Sequence, residues 1–102
     1  MSLYILATRI APSSLHTPGT LEYLEGEVMN RIREECPEIR WLQNFAVCGP
    51  YDYIDVLDAP TLESAIRASV LIRTYGHAHT EVWPALGWKE FKQIVQGLPR
   101  DE

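Results

Sequence analysis

Leu3 to Ala11 is a run rich in branched and aromatic residues that stops at Pro12-Ser13-Ser14. Such a run, bounded by Pro and Ser, reads as a β-strand. Thr17-Pro18 then offers an N-cap followed by Pro at the first helical position. Leu21, Leu24, Val28 and Ile32 recur at steps of three and four, which is one face of a helix. Pro37 ends that helix, because the proline ring pushes the preceding residue, Cys36, out of the α region. Ile39–Cys48 and Tyr51–Leu57 read as two strands joined at Gly49-Pro50. A two-residue connection suits a hairpin in which Gly49 takes the positive φ of a type II′ turn. Asp58-Ala59-Pro60-Thr61 starts a second helix, with Leu62, Ala65, Ile66, Ser69 and Ile72 or Arg73 on its buried face and Tyr75-Gly76 at its end. His77 to Pro84 is a fourth strand. Gly87 precedes a short last helix with Trp88, Phe91 and Val95 on one side, stopped by Gly97 and Pro99.

The order is β-α-β-β-α-β with a C-terminal helix, so the expected fold is α+β, a ferredoxin-like sandwich over residues 1–102 as one domain. Right-handed crossovers put both long helices on one face of a four-stranded antiparallel sheet and leave the other face open. The hairpin turn pairs Cys48 with Tyr51, Ala46 with Tyr53, Asn44 with Asp55 and Leu42 with Leu57, all on one side of the sheet. Val47, Phe45, Trp41, Ile54 and Val56 are the more apolar set and are assigned to the helices. In the fourth strand, Ala78, Thr80 and Val82 face the helices while His77, His79, Glu81 and Trp83 face outward. In the first strand Leu3, Ile5 and Ala7 are placed inward, and Tyr4, Leu6, Thr8 and Ile10 outward. The open face then carries Tyr4, Leu6, Ile10, Leu42, Tyr51, Tyr53, Leu57 and Trp83, more apolar area than a monomer leaves in water. The expected partner is a second copy of the chain, a homodimer through this face.

Composition bounds the function. The chain has 102 residues, 46% hydrophobic and 23% charged, which is too apolar for disorder. Nine Lys+Arg against fourteen Asp+Glu give −5, with no basic run. Nucleic acid and anionic membrane surfaces are therefore not expected partners. The first residues lack a basic n-region, and Arg9 interrupts the apolar run, so no secretory leader is expected. A cytoplasmic location follows as the expectation. Cys36 and Cys48 lie at opposite ends of one strand, roughly 30 Å apart at 3.3 Å per residue, against the ~5.5 Å that a disulfide needs. Two free thiols are expected.

Candidate chemistry is sparse. If the open faces of two copies meet, Thr8, Asn44, Tyr53, Asp55, His79 and Glu81 line the pocket between them, a few polar groups among apolar walls. Asp55, beside Tyr53 and opposite Asn44, is either a base of raised pKa or a carboxylate satisfied across the strands by Asn44. His77-x-His79-x-Glu81 projects three ligand types to one side of a strand. Neighbours two apart are roughly 6.6 Å from one another on a strand and no fourth ligand is placed, so no metal is expected. No nucleophile elbow, phosphate loop or dinucleotide loop occurs, and no cofactor is implied. Asp52 reads as a short acceptor for turn amides.

Gly49-Pro50-Tyr51-Asp52, followed by the alternating Tyr53-Ile54-Asp55-Val56-Leu57 and Pro60, resembles the signature of the GYD domain family, with Gly49, Tyr51 and Asp52 as its turn. His79-Thr80-Glu81 and Trp88-Lys89-Glu90-Phe91-Lys92-Gln93-Ile94 extend the match over almost the whole chain. The segment Ala11–Gly19 departs from the family's usual, more polar entry to the helix. The resemblance implies a dimeric α/β barrel in which two ferredoxin-like sheets face each other, and little chemistry. The same hairpin is similar to the ligand-binding domain of leucine-responsive (Lrp/AsnC-type) regulators, which bind amino acids at dimer interfaces. No helix-turn-helix precedes it in this sequence, so only a sensing module is expected. The reading is a homodimeric small-ligand-binding barrel. The alternatives are a cofactor-independent or haem-assisted monooxygenase-like enzyme, as in other dimeric α/β barrels, and a stand-alone sensing or purely structural module.

Overall fold

In a computed structural model, residues 2–11 and 18–99 are described. They form β1 (Ser2–Ile10), α1 (Pro18–Glu35), β2 (Arg40–Ala46), β3 (Tyr53–Ala59), α2 (Leu62–Gly76), β4 (Ala78–Ala85) and α3 (Trp88–Gln96). The four strands make one antiparallel sheet in the order β2-β3-β1-β4, the expected α+β, ferredoxin-like order. The Pro12-Ser13-Ser14 break and the Thr17 cap fall outside the described residues.

α2 is the best specified element. Thr61 caps it, its Oγ1 accepting the Ser64 backbone N–H at 3.1 Å, with Glu63 in the first turn and Arg73 in the last. Its buried face is Ser64, Ala65, Ala68, Ser69 and Ile72. The expected Leu62 and Ile66 instead lie on the exposed side, with Val70. Small residues let the helix axis approach the sheet, and the buried face is rotated toward them. The Thr80 hydroxyl is fully buried below and binds the Ser69 hydroxyl at 2.6 Å and Arg73 Nε at 2.8 Å. α1 lies against α2, with the Arg31 guanidinium 4.6 Å from the centre of the Tyr75 ring.

The register of β2 on β3 pairs Asn44 with Asp55 and Ala46 with Tyr53, as read from the sequence. A bulge between Trp41 and Gln43 then shifts the ladder, so that Trp41 rather than Leu42 opposes Leu57. The connection is longer than two residues. Cys48 and Tyr51 do not pair, Val47 N–H reaches the Asp52 carbonyl at 2.9 Å, and Gly49 does not adopt a positive φ.

The main correction concerns the faces of β1, β2 and β3. Tyr4, Leu6, Thr8, Ile10 and Leu57 are buried on the helix side with Val28, Ile32, Ala65, Ala68 and Ile72. Alternation then places Leu3, Ile5, Ile54, Val56 and Phe45 on the open side. In β1 both alternating sets are apolar, so the pattern does not choose between them. In β3 the set holding Asp55 also holds Leu57 and Ala59, which fill the core. A one-residue change of assignment flips a whole strand. β4 has the expected faces, with Thr80 buried and Ala78 and Val82 against the core. The open face is therefore apolar, as expected, and holds Tyr51 and Trp83 as expected, but its β1, β2 and β3 members are other residues.

Candidate functional site

α1 packs on α2 and stands away from β2. The space this leaves is a cleft of about 530 Å³ on the helix side of the sheet. Leu21, Leu24, Val28 and Met29 of α1, Trp41 of β2, and Ile10 and Ile72 form its apolar walls. Asn44, Tyr53, Asp55 and Thr8 line the same space. Four of the six residues assigned to a cavity by sequence are thus gathered in one. They lie beneath α1 and not between two sheets, because the faces of β1, β2 and β3 are the reverse of those expected.

The polar end of the cleft is the cross-strand pair Asn44–Asp55. Asn44 Nδ2 donates to Asp55 Oδ1 at 2.7 Å, and both residues line the cleft. Burial of the carboxylate pushes the Asp55 pKa up, and the Asn44 hydrogen bond opposes that in part. Burial raises the Tyr53 hydroxyl pKa as well, with the Asp52, Glu25 and Asp55 carboxylates adding to it. Glu25 and Arg33 of α1 also border the cleft. The arrangement offers an apolar slot with one acceptor-rich end, a shape suited to a small organic molecule.

His79 and Glu81 sit on the other side of the sheet. Glu81 accepts from the Tyr51 hydroxyl and from Trp83 Nε1 at 3.1 Å, and its Oε2 lies 3.2 Å from His79 Nε2. These hydrogen bonds, Tyr51 first, hold the Glu81 pKa down to about 2. Tyr51 meets Trp83 edge-to-face at 5.7 Å, and the Arg9 guanidinium lies 6.0 Å from the Tyr51 ring. A carboxylate so engaged serves to fix Tyr51 and Trp83 on the open face. His77, the third member of the expected triplet, is the left-handed cap of α2 with φ 50° and ψ 53°. No group of three or more His, Cys, Asp and Glu that could hold a metal occurs among the described residues.

The Gly-x-Tyr-Asp segment is structural in a way the sequence did not specify. Asp52 Oδ2 accepts the backbone N–H of Ile10 at 2.8 Å, and Asp52 N–H donates to the Thr8 carbonyl at 2.8 Å. The turn is thereby tied to β1, next to Thr8 and Tyr53 in the cleft, rather than to its own amides. Cys36 is buried and Cys48 exposed, both as free thiols. The α1 side of the cleft was legible only as a helix face; that Leu21 and Leu24 border an unfilled space depends on where α1 sits over the sheet, which no residue spacing encodes. No described helix is long and apolar enough to cross a membrane.

Comparison with known proteins agrees with this architecture. The GYD domain matches residues 4–95, and the chain belongs to that family. No curated protein matches it. Among solved structures it is similar to the leucine response regulatory protein of Mycobacterium tuberculosis, with a TM-score of 0.55 and 16% identity. The match covers 84% of this chain and 51% of that one, about half its length, and shows a shared fold.

Proposed function

We propose that this GYD domain binds a small organic molecule in the cleft between α1 and the sheet, as a homodimer joined through the open sheet face. The observation that carries the reading is an apolar cleft of about 530 Å³ with the Asn44–Asp55 pair at one end. Its ligand has an apolar body and at least one hydrogen-bond donor directed at Asp55. The net charge of −5, together with Glu25 and Asp55 at the cleft, favours a neutral or cationic molecule over an anion. The name of the mycobacterial relative makes free amino acids the first compounds to test, beside aromatic amines and phenols. The dimer part rests on the half-buried Leu3, Ile5, Ile54 and Val56 with the exposed Phe45 and Trp83, an apolar set on one face of the sheet. A reducing, cytoplasmic setting fits the two unpaired thiols.

A second reading has one observation in its favour. The raised pKa of Asp55 in the cleft beside Tyr53 supports a general-base role, in which it would take a proton from an acidic C–H or O–H of the ligand.

Thermal-shift screening of those three compound classes tests the binding reading. At least one compound is expected to raise the melting temperature of the wild type but not of Ala46→Phe, which fills the cleft from β2. Shifts of equal size in both proteins, or none in the wild type, would overturn it. Consumption of the bound compound, lost in Asp55→Asn, decides for the second reading.

A further inference from the structure

α3 is an amphipathic helix that buries none of its residues against the described part of its own chain. Trp88, Phe91 and Val95 fall at steps of three and four, with Ile94 and Leu98 alongside, and Trp88 is 71% exposed. None of its nine residues is buried. The Trp88 and Phe91 rings stack at 5.3 Å and 26°, which joins them into one apolar surface. The molecule is 59 Å long with a radius of gyration of 16.2 Å. A compact chain of this length has about 13 Å. A helix this short is marginal in water by itself, so its stability has to come from packing.

We propose that α3 is an exchanged arm, which lays its apolar stripe on a second copy of the chain while receiving that copy's α3 in return. This rests on the dimer part of the function proposed above, but on different residues. Three observations select a second copy as the occupant. First, only Leu86 and Gly87 separate α3 from β4, whose Trp83 lies on the open face, so the arm is continuous with the surface assigned to the dimer. Second, the five side chains expose on the order of 500 Å² of apolar surface, and two exchanged arms with the surfaces they cover reach the roughly 2,000 Å² of an obligate dimer. Third, α3 carries Lys89 and Lys92 against Glu90, a net +1, so the rest of a chain of net charge −5 is at −6. A basic arm meets an acidic copy.

Sedimentation equilibrium from nanomolar to high-micromolar protein tests the arm, on the wild type, Trp88→Glu/Phe91→Glu, Ile54→Lys and the chain ended at Leu86. No α3 residue belongs to the core cluster, so far-UV circular dichroism of the double variant is expected to keep the βαββαβ signal. The dimer's Kd is expected to rise at least tenfold in both α3 variants. Wild-type affinity in both would overturn the arm, and dissociation of Ile54→Lys alone would leave the sheet-face dimer standing without it. Dissociation of the α3 variants alone keeps the arm and removes the sheet-face dimer. A wild type that is monomeric throughout overturns both, and one that is monomeric but cosediments with phosphatidylcholine vesicles assigns α3 to a lipid surface instead.

Discussion

Asp55 is a carboxylate that folding moves part-way out of water, and its consequences are measurable. Burial raises its pKa, so the folded chain holds that proton to a higher pH than the unfolded chain, whose value is about 3.9. In the window above the unfolded value the folded state binds more protons, and stability falls as pH rises through the folded value. Asp55→Asn removes that dependence and keeps a partner for Asn44. At pH 7 the variant is expected to be more stable than wild type by on the order of 1 kcal/mol, about 4–8 °C for a domain of this size, with the gap closing toward pH 4. Melting curves across pH check this; a gap that is constant with pH would mean that the carboxylate is not desolvated. Thr80 poses the opposite case, a neutral group with full occupancy. Its buried hydroxyl serves the Ser69 hydroxyl and Arg73 Nε, and Thr80→Val removes both contacts while Arg73 Nη2 keeps the Thr80 carbonyl. The expected cost is about 1–3 kcal/mol in urea unfolding. Thr80→Ser, which keeps the hydroxyl, is expected to lose less.

At the scale of elements, the segments that chemistry specifies locally were legible and those that depend on a choice between equals were not. Pro37 and Thr61 mark a helix end and a helix start by what a proline ring and a capping hydroxyl do, and α1 and α2 stop and start there. The Asn44–Asp55 pairing followed from counting back from the turn, although the turn itself is longer than counted. The face of β1 was not legible, because Leu3, Ile5 and Ala7 are as apolar as Tyr4, Leu6 and Ile10. Only the positions of the helices decide between them. The candidate site inherits that difference: Thr8, Asn44, Tyr53 and Asp55 come together since they share a face in either assignment, while His79 and Glu81 part from them since β4 alone was assigned correctly. The end of α2 carries a prediction of its own. Gly76 reads as the stop, but His77 holds the left-handed conformation, which costs an L residue roughly 1–2 kcal/mol and glycine far less. His77→Gly is expected to stabilise the domain by about 1 kcal/mol, since the imidazole is exposed there and the conformation is already in place. A lower urea midpoint for the variant would mean that the ring makes a contact that offsets the strain.

For the whole molecule, the sheet is a wall between two surfaces. The cleft lies on one side, beneath α1, and the apolar open face lies on the other with Tyr51, Trp83, His79 and Glu81. A ligand held between two facing sheets would be lost with the dimer, because each copy would supply half of its walls. A ligand held under α1 has all its contacts from one chain. The two arrangements therefore differ in how binding responds to dissociation. Ile54→Lys places a charge in the middle of the open face, and burying it unpaired against a second copy costs several kcal/mol, enough to separate the copies. In the helix-side arrangement this variant is expected to bind the best compound of the thermal-shift panel within about threefold of wild type, a difference under 1 kcal/mol. Titration calorimetry on the variant at a concentration where sedimentation shows a monomer makes the comparison. Loss of binding together with the dimer would return the site to the space between the sheets, and loss of binding with the dimer intact would mean that the sheet transmits the substitution to Asp55 and Tyr53 on its far side.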